Sequence, residues 1–362
     1  MKVITVVGAR PQFVKAAAFE RALMAGPGQD RIEHHLVHTG QHYDFNMSEL
    51  LFQQLRLPAP KYNLGVGSGA HGAQTGEILR LLEPVLEAER PDVVLVYGDT
   101  NSTLGAALCA SKLHIPIAHV EAGLRSYNRR MPEEINRVVT DHVSDFLLCP
   151  SNRAVQNLGA EGIRKGVANV GDVMYDILLL VQAEMGLHID AETRRSGEQF
   201  ALATVHRAEN TDDSDRLREI VAALSEVAAR GLRVVWPVHP RVRSLLGATS
   251  MHEDVSLVEP VGYVEMVGLL SRCSVVVTDS GGLQKEAMWS GAPCVTMRDE
   301  TEWEETIELG WNRLVPPDRV SIATAVLEAR SPLGAMPDVY GMGRAADNIV
   351  KYLLDTEMSR NG

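Results

Sequence analysis

The chain runs to 362 residues and sets 47 acidic against 35 basic side chains, a net charge of −12 at neutral pH. That balance excludes a surface that tracks nucleic-acid phosphates, and an aromatic share of 5% leaves little for a single-strand stacking platform, although a local basic pocket for one diphosphate stays compatible. The length exceeds what one hydrophobic core usually serves, so two domains are expected.

In chain order, Met1 leads directly into the apolar run Val3 to Val7, closed by Gly8, with no apolar leader segment; this predicts a first buried strand. Nowhere do about 18 apolar residues run together, so no membrane span is expected. Further short runs, Val93 to Val96, Ile115 to Ala118 and Phe146 to Leu148, alternate with helical periodicity over Thr75 to Leu86 and Asn136 to Val143. The pattern restarts after about residue 170 with Phe200 to Thr204, Val234 to Trp236, Ser256 to Val258, Val275 to Thr278, Cys294 to Met297 and Arg313 to Val315. Cys109, Cys149, Cys273 and Cys294 form no CxxC pair, which predicts buried, reduced thiols in a cytoplasmic protein and neither a zinc site nor a disulfide framework.

The expected fold is therefore α/β, with two doubly wound, Rossmann-like domains: residues 1–170 carrying the acids described below, and 171–342 binding phosphate. Residues 343–362 are expected as a helix, with Ala345, Ile349, Tyr352 and Leu353 along one side, that crosses back to the first domain. Ligands of such sheets bind beyond the carboxyl ends of the strands, so the site is expected in a cleft that the two halves face.

Six strand ends or helix starts carry polar clusters. In Gly8-Ala9-Arg10-Pro11-Gln12-Phe13-Val14-Lys15 a tight turn opens a helix with Arg10 and Lys15 nearby, suited to a phosphate or sugar oxygen, although GxGxxG is absent. Asp99 follows the run ending at Tyr97, and N-capping by Asp99, Thr100, Asn101 or Ser102 explains part of that cluster. The arrangement repeats at Glu121 in HVEAGLR, and parallel pairing of the two strands predicts that Asp99 and Glu121 share a sheet edge. Glu133 and Glu134 begin a helix after Pro132, where they complement its dipole. Three carboxylates in one half suit a division of acid and base roles. In the second half, His206 and Arg207 follow a strand, available to a diphosphate or, for His206 as a catalytic candidate, to proton transfer, while Ser280, Gly281 and Gly282 open a helix whose N–H groups suit a phosphate, with Glu286 a turn later for a ribose hydroxyl pair.

The segments GARPQFVKA, YGDTNSTL, HVEAGLR, MPEEINR, VHRAEN, PVHPR, TDSGGLQKEA and MRDETEW occur in the order found in non-hydrolysing UDP-N-acetylglucosamine 2-epimerases, and the chain resembles that family from residue 1 to about 355. The resemblance implies a glycosyltransferase-B-like pair of domains, a homodimer, and a UDP-sugar substrate handled without metal or nicotinamide. It also implies that Asp99, Glu121 and Glu133 carry or support the chemistry, with His206 near the sugar diphosphate. Arg10, Lys15, Arg125 and His239 line the substrate site by the same token; Ser280, Gly281, Gly282 and Glu286 hold UDP, and Tyr263 falls near the uracil.

The C2 proton of an N-acetylhexosamine has no adjacent carbonyl, so direct deprotonation meets a prohibitive carbanion. Expelling UDP from C1 as the C2 proton leaves gives a glycal-like intermediate instead. Adding a proton to the other face with return of UDP completes the inversion, which needs a base, an acid and a grip on the diphosphate. Two departures bear on the substrate. A QHRxMLDQ-like stretch, associated in many members with a regulatory second UDP-GlcNAc, reads here Gln41-His42-Tyr43-Asp44-Phe45-Asn46-Met47-Ser48, so activation by substrate is not expected. The common TERPE stretch reads Thr301-Glu302-Trp303-Glu304-Glu305. Both look closer to the subgroup acting on UDP-2,3-diacetamido-2,3-dideoxyglucuronate, whose C6 carboxylate Arg129, Arg130 or Arg137 would pair. UDP-GlcNAc, interconverted with UDP-ManNAc, stays the primary expectation and the uronate the alternative. A glycosyltransferase of the same form, or a non-catalytic UDP-sugar sensor, is the rival class.

Overall fold

The computed structural model describes residues 1–41, 57–187, 199–247, 249–333 and 336–361. The chain divides into two compact units, Met1–Leu179 with Asp338–Gly362, and Leu180–Pro337.

The first unit holds seven strands: β1 (Lys2–Val7), β2 (Glu33–His38), β3 (Tyr62–Asn63), β4 (Val93–Tyr97), β5 (Ile117–Val120), β6 (Phe146–Cys149) and β7 (Val167–Asn169). All pair in parallel in the order β3-β2-β1-β4-β5-β6-β7. The connections carry helices α1 (Arg10–Ala25), α2 (His71–Glu89), α3 (Asn101–Lys112), α4 (Pro132–Val143) and α5 (Asn152–Ala160), and α6 (Val173–Glu184) leaves the sheet. Because helices cover both faces, central strands such as Val93–Tyr97 are buried along their whole length and read as unbroken apolar runs. The order reverses between β1 and β4, so the switch point lies where Gly8 and Gly98-Asp99 leave those strands.

The second unit repeats the scheme with β8 (Phe200–Thr204), β9 (Arg233–Pro237), β10 (Val255–Val258), β11 (Val275–Thr278), β12 (Cys294–Met297) and β13 (Asn312–Val315), all parallel in the order β10-β9-β8-β11-β12-β13. Its helices are α7 (Ala208–Thr211), α8 (Ser214–Ala229), α9 (Pro240–Leu246), α10 (Tyr263–Leu270), α11 (Gly281–Trp289), α12 (Glu304–Glu308) and α13 (Arg319–Glu328). Here the reversal falls between β8 and β11, where His206 and Asp279-Ser280 emerge.

Helix α14 (Ala345–Asn361) packs within the first unit, its Tyr352 ring edge-on to Phe146 at 5.9 Å. The chain returns past its own exit point: the backbones of Gly171 and Gly341 touch, and a Cβ on Gly171 would lie 2.7 Å from the Tyr340 carbonyl. With φ at 92°, Gly171 is also in the left-handed region that only glycine enters cheaply. Asp176 then caps α14 from a distance, accepting the N–H groups of Ala345 (3.1 Å) and Ala346 (2.6 Å). The passage between units falls inside α6 at Leu180, not near residue 170, because that helix runs unbroken past the end of the first sheet.

Several bounds differ from the sequence expectation. Strand β5 begins at Ile117 because Pro116 has no N–H to give the ladder, and it runs on through His119 and Val120. Strand β2 was hidden by its composition, Glu-His-His-Leu-Val-His, which is tolerated because His34 is held between Glu20 (2.5 Å) and Thr5 (2.8 Å). Helix α4 starts at Pro132, as its place before Glu133 and Glu134 predicts, and runs to Val143. All four cysteines are buried and unpaired, and no helix among the described residues is long and apolar enough to cross a membrane.

Candidate active site

At the first switch point the turn after β1 is closed from within. The Gln12 side chain accepts from the N–H groups of Gly8 (2.8 Å) and Ala9 (3.0 Å) and donates to the Tyr97 carbonyl and the Thr103 hydroxyl. The N–H groups expected to meet an anion are therefore already bound, and Arg10 stands at the first residue of α1 beside a turn that is internally satisfied. Gly8 is required by crowding: a Cβ would sit 2.0 Å from the Ser102 hydroxyl.

The carboxylates meet at the same edge. Pairing of Tyr97 with Val120 places Asp99 and Glu121 just beyond the ends of neighbouring strands. Thr100 takes the N-cap of α3, accepting from Thr103 N–H, which leaves Asp99 for another partner. That partner is Arg137 of α4, buried and ion-paired to both Asp99 and Glu134. Glu121 is buried with its backbone in the left-handed region, φ 68°, and its carboxylate is ion-paired to the buried Lys15. Gly98, φ 61°, leaves room for that pair, since a Cβ there would lie 3.1 Å from Glu121 Oε2 and 3.3 Å from Lys15 Nζ. Burial acts to lower the Lys15 pKa, but the Glu121 carboxylate, reinforced by Asp172 and Asp99, outweighs it and leaves the ammonium raised.

Glu133 is half-buried and makes no ion pair among the described residues. It lies three residues before Asn136 and four before Arg137, which puts it on the face of α4 that meets Asp99: Asn136 donates to the Asp99 carbonyl at 2.9 Å. Its neighbour Glu134 has a different task, accepting from Ser126 N–H, Tyr127 N–H and the Ser126 hydroxyl at 2.9–3.0 Å. Arg125, expected to face substrate, is buried with every nitrogen of its guanidinium engaged by Asp141, Glu161 and the Leu124 carbonyl. Arg137 is likewise committed inside the fold, so it does not stand ready for a uronate carboxylate; Arg129 and Arg130 are exposed.

In the second unit His206 is 53% exposed and its Nδ1 lies 3.0 Å from Asp279, which is fully buried. Asp279 also accepts from the backbone of His206 and Arg207 and from Asn210. Burial would raise the Asp279 pKa, but the His206 ring and these N–H groups hold it below the usual carboxylate range. Ser280 is the N-cap of α11 without using its hydroxyl as a cap, and it leads to the partly exposed Gly281 and the exposed Gly282. Gly281 is fixed by Glu302, whose Oε1 would lie 2.6 Å from a Cβ there and whose Oε2 pairs with buried Arg298 at 3.1 Å. Trp303 is buried, with Lys285 Nζ 3.4 Å from its ring centroid; the tryptophan that replaces the usual arginine thus seats a buried lysine. Glu286 and Tyr263 are buried in α11 and at the start of α10. His239 is exposed beyond β9 and caps α9, accepting from Arg241 N–H.

Among the described residues no group of three or more histidines, cysteines and acids is arranged to hold a metal ion. Of the Gln41 to Ser48 stretch only Gln41 falls within the described residues; it is buried, its side chain accepting from Ser102 N–H (2.9 Å) and the Ser102 hydroxyl (2.6 Å).

A family model described as UDP-N-acetylglucosamine 2-epimerase matches residues 27–354. The chain belongs to that family. A UDP-2,3-diacetamido-2,3-dideoxy-D-glucuronate 2-epimerase of Pseudomonas aeruginosa is 49% identical over 98% of this chain and 99% of the relative. Among solved structures, the Methanocaldococcus jannaschii UDP-GlcNAc 2-epimerase in complex with UDP-GlcNAc and UDP is 39% identical, with a TM-score of 0.85 over 98% of this chain and 100% of that one. A spinosyn rhamnosyltransferase, 16% identical with a TM-score of 0.51 over 98% of this chain and 96% of that one, shares the fold alone. The family member described here is thus a glycosyltransferase-B-like α/β protein.

Within this epimerase family member, Asp99, Glu121, Lys15 and Arg137 gather at one switch point, and His206, Asp279 and Ser280 at the other. Four residues passed over in the sequence organise them: Gln12, His119, Asp141 and Asp279. Asp279 carried a readable signal, an acid directly after a buried apolar strand, the same pattern that drew attention to Asp99.

Proposed function

We propose that the protein is a non-hydrolysing 2-epimerase that inverts C2 of a UDP-bound N-acetylated sugar by elimination and re-addition of UDP. The observation that carries this is the placement of Asp99 and Glu121 beyond adjacent strands, each against its own buried cation, with Glu133 on the helix face that meets Asp99. One carboxylate takes the C2 proton, its electron pair forms the C1=C2 bond, and UDP leaves with the C1–O electrons. A second delivers a proton to the opposite face as UDP returns to C1. In this reading His206 and the Ser280 turn hold the departing diphosphate.

The motifs alone put UDP-GlcNAc first as substrate. The 49% full-length identity to the diacetamido-uronate enzyme, against 39% to the UDP-GlcNAc enzyme of known structure, reverses that order, and we take the uronate as first reading and UDP-GlcNAc as second. Each sugar is incubated alone in D2O and followed by NMR. Deuterium entering C2 with UDP retained in product is the expected result; transfer only when an acceptor is added marks a glycosyltransferase, and binding without exchange marks a sensor. Asp99→Asn, Glu121→Gln and Glu133→Gln each lower turnover about 100-fold or more, and near-normal turnover in all three folded variants removes the proposal. Action as a cytoplasmic homodimer belongs to the same proposal and is read by light scattering and cell fractionation.

A further inference from the structure

One buried histidine ties together the two turns that present Asp99 and Glu121. His119 lies in β5 with no exposed surface. Its Nε2 is 2.8 Å from the carbonyl of Gly98, the residue before Asp99, and its Nδ1 is 2.7 Å from Asp141 Oδ1 on α4. The other Asp141 oxygen accepts from the N–H of Gly123, two residues after Glu121, at 3.1 Å and from Arg125 at 2.7 Å. A carbonyl oxygen accepts only, so Nε2 donates to Gly98. A proton must then also lie between Nδ1 and Asp141, because otherwise two lone pairs would face each other. Burial would raise the Asp141 pKa, yet His119 and Arg125 hold it lowered, which keeps the acceptor charged.

Geometry explains why such a tie is needed. Gly98, Glu121 and Gly123 all stand in the left-handed region, at φ 61°, 68° and 82°. For a glutamate that conformation is strained and persists only where surroundings over-determine it. The tie runs from Gly98 through His119 and Asp141 to Gly123, spanning both sides of the pair of carboxylates.

We propose that His119, with Asp141, is a positioning residue for the epimerase reaction, fixing the relative placement of Asp99 and Glu121. The inference rests on the function proposed above. His119→Gln replaces two ring nitrogens by one, so the nitrogen that donates to Gly98 leaves the place facing Asp141 without a donor, and Asp141→Asn with its oxygen kept toward His119 loses the acceptor that Gly123 and Arg125 share.

The test begins with the wild-type protein, whose C2 deuterium exchange establishes the reaction; no exchange with either sugar sinks the functional reading and leaves nothing to position. Given exchange, both variants are expected to lower kcat about 100-fold, the scale of an ångström-sized misplacement, with KM within about threefold because the diphosphate grip is untouched. They are also expected to release UDP and free glycal more often than the wild type, since delivery to the second face suffers most. Folded variants whose kcat stays within about threefold of wild type, or whose loss lies wholly in KM, overturn the proposal. So does failure of both to fold, since the tie would then be a foundation of the unit and not a device for aligning two carboxylates.

Discussion

Lys15 and Glu121 make the sharpest residue-scale case. Both are buried, and the carboxylate sits on a left-handed backbone, so removing the cation takes an ion-pair partner from a largely desolvated charge. Lys15→Met is expected to cost about 3–5 kcal/mol in urea denaturation, and much less in a Glu121→Gln background; equal costs in the two backgrounds would show the pair uncoupled. His206 depends on Asp279 in the same way that a catalytic imidazole depends on its orienting acid. Asp279→Asn should lower kcat/KM at least about 10-fold while UDP still binds, as steady-state kinetics and calorimetry will read. The acids themselves were legible in the sequence because each follows an apolar strand or opens a helix. Their partners were not. Lys15 and Arg137 were visible as cations, but which carboxylate each would meet depends on strand order, and Arg125 looked like a substrate ligand until Asp141 and Glu161 were seen to enclose it.

At the scale of elements, the long apolar strands and the C-terminal helix could be read from periodicity, whereas β2, β3 and β7 could not. Two of those are edge strands of two or three residues, and β2 carries three histidines, of which His34 takes its partners Glu20 and Thr5 from elsewhere in the fold. The run read as Ile115 to Ala118 stops short of His119, which the strand includes. Asp176 shows how one side chain secures an element far away in sequence. Burial raises its pKa from 3.8 to about 6, against the pull of the two N–H groups it caps. A carboxyl raised on folding contributes stability fully below its unfolded value and loses it as pH climbs through the folded one. The melting temperature of the wild type relative to Asp176→Asn, which cannot ionise, is therefore expected to fall between about pH 4 and pH 7. A pH-independent difference in differential scanning calorimetry would refute the assignment.

Over the whole molecule the two units differ in how the chain builds them. Leu180–Pro337 is continuous, with a six-stranded sheet and a core of its own, while the first unit is assembled from both ends of the sequence. A fragment spanning 180–337 should unfold cooperatively and gain thermal stability from UDP; a broad, ligand-insensitive melt would count against both its autonomy and the Ser280 turn as a phosphate site. That two sheets exist was plain from the restart of the strand pattern. That the passage occurs inside α6 was not, because nothing in Val173–Glu184 interrupts the helix.

The return of α14 past Gly171 also sets an order of events during synthesis. All of 180–337 has been made before Ala345–Asn361 exists, so the unit bearing the Ser280 turn has its complete sequence while the unit bearing Asp99 and Glu121 still lacks its closing helix. A nascent chain passes through a stage in which the continuous unit has every element it needs while the other still lacks the helix that Asp176 caps.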